Sequence, residues 1–172
     1  MKTKIFPLFL IITFIIIFLV FYKGLKNSNI YIPEIKTKTK IPYFSSQEFF
    51  SKEIINSDKI FVGNEYYLLN IWASWCIPCK KEHKYLMDLS KKENLKIIGQ
   101  NYKDNFDNAN NFLVELNNPY DLIFLDKDGT LAIEWGAYGV PETFLIKNDQ
   151  IIKKIIGPLN ENLLVEIKKL IK

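Results

Sequence analysis

The chain has no arginine, one histidine and two cysteines among its 172 residues. Without arginine there is no planar guanidinium fork, which excludes bidentate readout of phosphates or base edges. One histidine and two cysteines cannot supply the four nitrogen and sulfur ligands of a structural zinc site. Glycine and proline number seven each, too few for a collagen-like or low-complexity chain, and two cysteines are too few for a disulfide-stapled mini-fold. Acidic residues are absent from the first 26 positions, which hold four lysines (Lys2, Lys4, Lys23, Lys26). The other 19 lysines are balanced by 19 acidic residues, so the net charge of +4 belongs to the N-terminal segment. A neutral domain is not a nucleic-acid footprint. What is present, 48% hydrophobic and 15% aromatic residues, suffices for one domain with a core and a short appendage.

That appendage is residues 5–22, IFPLFLIITFIIIFLVFY, apolar throughout except for Thr13. Its 18 residues span roughly 27 Å as a helix, about the hydrocarbon thickness of a bilayer. Lysines flank both ends, which a core helix rarely shows. A cleaved signal peptide has a shorter apolar region followed by small residues at the cut; here the run ends Phe21-Tyr22-Lys23. We therefore read 5–22 as an uncleaved transmembrane anchor behind a short tail, 1–4. Residues 23–44, with Pro33, Pro42 and alternating Lys and Thr, read as a polar tether, and 45–172 as the folded domain. Lys2 and Lys4 balance Lys23 and Lys26, so charge alone does not orient the anchor.

Within the domain, residues 66–72 (YYLLNIW) form a continuous apolar run, as in a strand buried on both faces. A helix is expected over 78–92, a strand over 96–102, a helix over 105–116, and a strand over 122–125 followed by a turn at 126–129. Strands over 143–146 and 151–156 flank a hairpin turn. Asn160 can cap a last helix with Leu163, Leu164, Ile167, Leu170 and Ile171 on one stripe. The order βαβα, then ββα, gives an α/β domain with a central mixed sheet covered by helices.

Both cysteines stand in Trp72-Ala-Ser-Trp-Cys-Ile-Pro-Cys-Lys-Lys-Glu-His, where the first buried strand gives way to a helix. Covalent haem attachment needs His directly after the second Cys; that residue is Lys80. A structural disulfide across two residues would constrain the unfolded chain very little. A redox dithiol remains. The helix start, with unpaired N–H groups and the positive end of the macrodipole, favours a thiolate. Cys76 should therefore be the acidic, exposed, attacking thiol. Pro78 suits a first helical turn, and Cys79, one turn in, can attack the mixed disulfide. No metal or organic cofactor is required.

The string WASWCIPC resembles the active site of the thioredoxin superfamily. Residues 99–104 (GQNYKD), 126–136 (DKDGTLAIEWG) and 138–146 (YGVPETFLI) resemble one branch, the membrane-anchored DsbE/CcmG-type thiol:disulfide interchange proteins of cytochrome c maturation. The resemblance runs from about residue 60 to the end. It implies a thioredoxin-like fold facing the periplasm from an inner-membrane anchor. It also implies reduction of the haem-binding cysteines of apocytochrome c, with electrons from a transmembrane thiol reductant. Competing readings are an anchored reductase for other periplasmic disulfides or for copper-site assembly, and a scaffold whose dithiol is vestigial.

Glu82 shares a helix face with Cys79, and Leu86 and Leu89 continue that face. A partly desolvated carboxylate there would have a raised pKa and could carry protons for Cys79. The competing reading is a solvated charge at the helix edge. Family members carry Glu at this place, whereas the buried Asp of ordinary thioredoxins is replaced here by Asn70. The resemblance further implies a cis Pro141 packed against the dithiol, with the Val140 backbone pairing with substrate. Glu142 is expected as an acidic rim of that groove or as an exposed strand-edge charge. Trp75 should shield the thiolate and touch substrate; Trp72 is read as core. His83 is expected on the helix surface. Lys84 replaces the proline that usually kinks this helix, so the helix should run straighter. Tyr102 and Asp104 belong to the GQNYKD string, and no role for them follows from the sequence.

Overall fold

The computed structural model describes residues 5–26 and 39–172, so the expected tail and tether residues 27–38 lie outside it. The chain divides into two units. The first carries helix α1 (Ile5–Lys26). Its stretch Phe6–Gly24 is long and apolar enough to cross a membrane.

The second unit opens with β1 (Thr39–Lys40), β2 (Ser45–Gln47), β3 (Ile54–Asn56) and α2 (Ser57–Ile60). Next come β4 (Tyr66–Trp72), α3 (Ile77–Leu89), β5 (Leu95–Tyr102), α4 (Phe106–Leu116) and β6 (Leu122–Asp126). It closes with α5 (Thr130–Glu134), β7 (Glu142–Lys147), β8 (Gln150–Ile156) and α6 (Glu161–Leu170). Six strands form one sheet in the order β1-β8-β7-β4-β5-β6, while β2 and β3 pair separately. β4, β5 and β6 run parallel; β7 and β8 return antiparallel. The expected mixed sheet is thus present. The sequence reading misses β2, β3 and α2, and two further features differ from it. Thr39 and Lys40, within the stretch read as tether, join the sheet against Ile151 and Gln150 of β8. The turn after β6 leads into α5.

The continuous apolar run of β4 has a simple cause: it lies between two cores. Leu68 and Trp72 face one, packed by Leu86 and Leu89 of α3, Phe112 of α4 and Leu164 and Ile167 of α6. Tyr67, Leu69 and Ile71 face the other, with Phe44, Phe61, Phe124, Trp135 and Phe144. Full burial of each such side chain stabilises the fold by about 1.5–3 kcal/mol before entropy is counted. Helices α4 and α6 begin where asparagines cap them. Asn105 Oδ1 accepts from the N–H groups of Asp107 and Asn108, and Asn160 Oδ1 accepts from that of Leu163. On α6 the stripe holds for Leu164, Ile167 and Ile171, whereas Leu170 is exposed. Helix α3 runs unbroken through Lys84.

Candidate active site

Strand β4 ends at Trp72, and four residues later Cys76 caps α3 with extended backbone. Pro78 sits in the first turn, as its fixed φ suits. Cys76 Sγ is bonded to Cys79 Sγ, and it accepts a hydrogen bond from the Cys79 N–H at 3.1 Å. In this oxidised state the expected exposure of Cys76 is not found: it is 4% exposed and Cys79 2%. Both cysteines belong to the core cluster, with Val140 packed against it. Trp75, by contrast, is 56% exposed beside the disulfide.

The segment entering β7 supplies Val140 and Pro141, joined by a cis peptide bond. Pro141 is buried and Val140 half-buried. Both expectations for Glu142 give way. Its side chain and that of Lys154 are each 2% exposed, and Lys154 Nζ lies 2.9 Å from Glu142 Oε2. Glu142 Oε1 accepts from the N–H groups of Tyr138 at 2.5 Å and Gly139 at 3.1 Å. Lys154 also donates to the Gly136 carbonyl and lies over the Tyr138 and Phe144 rings. The pair staples the loop before Pro141 to β8; it forms no rim. The hairpin brings the two together across twelve residues of sequence, and the lysine had no signal of its own.

On the opposite face, Glu82 is 0% exposed, so the solvated reading fails. Its Oε1 accepts from Asn70 Nδ2 at 2.9 Å and its Oε2 from the Leu159 N–H at 2.7 Å. Among the described residues no cation pairs with it. Burial outweighs the two hydrogen bonds and pushes its pKa up to about 7. Asn70 also donates to Thr143 Oγ1 at 3.0 Å and accepts from the Tyr120 hydroxyl at 2.9 Å. Burial and the facing Glu82 hold the Tyr120 phenol well above its ordinary range. Tyr120 reaches Asn70 because Gly99 leaves room: a Cβ there would lie 3.0 Å from the Tyr120 ring and 2.9 Å from Trp72 Nε1. Tyr120 and Thr143 were not singled out from the sequence; their partners are remote and no spacing betrays them.

His83 is the other correction. It is buried, with Nε2 2.8 Å from the Asn117 carbonyl and its ring edge-on to Phe112. Burial lowers its pKa. Asn117, at φ 67°, brings the end of α4 over it, a contact no local pattern announces.

Comparison with known proteins fits this geometry. Residues 36–169 match the Redoxin family model. The chain belongs to the Redoxin family. It is 38% identical to the thiol:disulfide interchange protein DsbE of Vibrio cholerae over 142 residues, 75% of this chain and 76% of that one. It is 50% identical over 92 residues to CycY, a thiol:disulfide interchange protein of Rhizobium leguminosarum bv. viciae, covering 53% of this chain and 50% of CycY. For the DsbE of Tatumella citrea the figures are 41% over 121 residues, 70% and 65%. The match thus spans half to three quarters of these relatives. The thioredoxin domain of a thiol-disulfide oxidoreductase from Bacteroides vulgatus shares the fold at TM-score 0.66 and 17% identity, covering 81% of this chain and all of that one, as 100%. StoA from Bacillus subtilis does so at TM-score 0.58 and 25% identity, with 77% and 98% covered. The domain is therefore a thioredoxin-like fold of the DsbE-type thiol:disulfide interchange family, with its cysteine pair closed as a disulfide.

Proposed function

We propose that this chain is a membrane-anchored thiol:disulfide oxidoreductase that reduces disulfides outside the cytoplasm. In the reduced form, the Cys76 thiolate attacks one sulfur of a substrate disulfide. A mixed disulfide forms, and the other substrate sulfur leaves as a thiolate and takes up a proton. The Cys79 thiolate then attacks Cys76 Sγ, expelling the remaining substrate thiolate and closing the Cys76–Cys79 disulfide. Two electrons pass from the dithiol to the substrate. A transmembrane thiol reductant returns them by the reverse exchange.

The observation that carries this reading is the Cys79 N–H aimed at Cys76 Sγ, 3.1 Å away, on the cap of a 13-residue helix. A sulfur so placed is stabilised as an anion, which favours it both as nucleophile and as leaving group. Glu82 is the proton carrier, taking the Cys79 proton before the second attack; a group with pKa about 7 does this near neutrality. Val140 and Pro141 offer the substrate a backbone edge, and Trp75 offers an exposed ring. Glu142 acts behind that edge, through its ion pair.

The substrate assignment, the haem-binding cysteines of apocytochrome c, rests on the resemblance of the motif strings. So does the orientation, with α1 anchoring a domain that faces the periplasm. The test uses full-length Cys79→Ala in native membranes, where the mixed disulfide cannot be resolved. The expected result is a thiol-reversible adduct of Cys76 with an apocytochrome c, absent when Cys76 is also replaced. Adducts with other periplasmic proteins alone overturn the cytochrome assignment. No adduct at all overturns the exchange reading.

A further inference from the structure

The GQNYKD string has no part in the exchange steps above, yet it ends against the loop that carries Cys76. Strands β4 and β5 are parallel neighbours, with Trp72 beside Asn101, so the loops leaving their C-terminal ends lie side by side. Asp104 bridges them. Its Oδ2 accepts from the Ser74 N–H at 2.5 Å and from Asn101 Nδ2 at 3.0 Å. Its Oδ1 accepts from the Ser74 hydroxyl at 2.7 Å and from the Asn105 N–H at 2.9 Å. Two of the four donors belong to Ser74, two positions before Cys76. One residue further, Trp75 Nε1 donates to the Lys103 carbonyl at 3.1 Å, and its ring lies 6.4 Å from that of Tyr102.

The ordinary explanation for an Asp at this place would be capping of α4. That duty is already filled, because Asn105 Oδ1 takes the Asp107 and Asn108 N–H groups. What Asp104 holds is the three-residue connection from β4 to the cap of α3. Every group facing the carboxylate is a donor, and hydrogen bonds to a carboxylate are among the stronger ones. A reacting atom displaced by about 1 Å can slow a reaction on the order of a hundredfold.

We infer that Asp104 is a positioning residue of disulfide exchange: through Ser74 it holds the loop that presents the Cys76 sulfur and the Trp75 ring to an incoming disulfide. The inference rests on the exchange reading proposed above, and it adds a role for a motif that reading left idle.

The test compares full-length, detergent-solubilised wild type with Asp104→Ala, Asp104→Asn, Ser74→Ala and the Ser74→Ala/Asp104→Ala pair. The reduced proteins react with a short peptide holding an internal disulfide. Asp104→Ala should slow the second-order rate on the order of tenfold, Ser74→Ala less, and the pair no more than Asp104→Ala alone. Asp104→Asn, which keeps one acceptor oxygen and the side-chain size, should fall between and covers the case in which Asp104→Ala does not fold. Trp75 emission, isolated by subtracting a Trp75→Phe variant, should shift in Asp104→Ala and Asp104→Asn. A wild-type rate in the Asp104 variants, or losses that multiply in the pair, overturns the inference. Should wild type itself fail to exchange, the parent reading falls, and the Trp75 emission still decides whether Asp104 holds the loop: unchanged emission overturns it.

Discussion

Two glutamates are shut away from solvent on opposite faces of the same sheet, and they are partnered in opposite ways. Glu142, on β7, meets a lysine at 2.9 Å and two backbone N–H groups. Glu82, on α3, meets an amide and one backbone N–H, and no cation. The Glu142 face is mostly aromatic and apolar, with the hydrogen-bonded Gln100–Asp126 pair buried at its far side; the Glu82 face carries the disulfide and a chain of hydrogen bonds through Asn70, Thr143 and Tyr120. A buried carboxylate with its own cation is a mechanical part. Glu82, desolvated and without a cation, has its pKa pushed up to about 7, so it can hold and trade a proton near neutrality, which is what thiol chemistry next to it needs.

The largest effect should come from breaking the mechanical pair. Lys154→Ala leaves Glu142 buried without its cation and should destabilise the domain by about 3–5 kcal/mol. Replacing both, as Glu142→Gln with Lys154→Met, should recover most of that loss. Urea unfolding of the three proteins reads both numbers. A loss below about 1 kcal/mol in Lys154→Ala would mean that the two glutamates do not differ as described.

Glu82 should show itself through pH. Its pKa rises from 4.5 to about 7 on folding, so the fold favours the protonated form. Its stabilising contribution is complete below about 4.5 and is lost as pH climbs through about 7, a decline of roughly 3 kcal/mol. Glu82→Gln keeps an acceptor for the Leu159 N–H and has nothing to ionise. The difference in unfolding free energy between wild type and Glu82→Gln should therefore slope across that window and be flat on either side. A difference independent of pH would place an ordinary carboxylate there.

How far the sequence reaches follows from the range of each contact. The buried run of β4, the cap Asn160 and the C-x-x-C at the start of α3 are local patterns, and they lie where the sequence reading puts them. The cis bond before Pro141 was expected from the resemblance alone, and it is present. Glu82 was legible because Cys79, Leu86 and Leu89 mark the face it shares. His83 and Glu142 were misread because what buries them, the end of α4 and Lys154, arrives from elsewhere in the chain. Asp104 stood in a quoted motif, yet its donors come from β4's exit loop, β5 and α4, and only their meeting gives it work. Strands β1 to β3 and helices α2 and α5 have five residues or fewer, too short for periodicity to register.

The smallest effect tests how the proton site is tuned. The Tyr120 hydroxyl donates to Asn70 Oδ1, which obliges the amide to turn its Nδ2 toward Glu82 and Thr143. Tyr120→Phe removes that constraint and leaves a buried acceptor unpaired, at about 1 kcal/mol or somewhat more. With Asn70 free to turn, Glu82 loses part of a donor that favours its charged form, so its pKa should rise further. The pH-dependent decline described for wild type should then shift to higher pH in Tyr120→Phe, with Glu82→Gln as the common reference. Thr143→Val, which removes an acceptor from the same amide without touching Tyr120, should leave Nδ2 aimed at Glu82 and move the midpoint less. If Tyr120→Phe loses stability but the midpoint stays, the phenol is a packing residue and Asn70 is held by Thr143 alone.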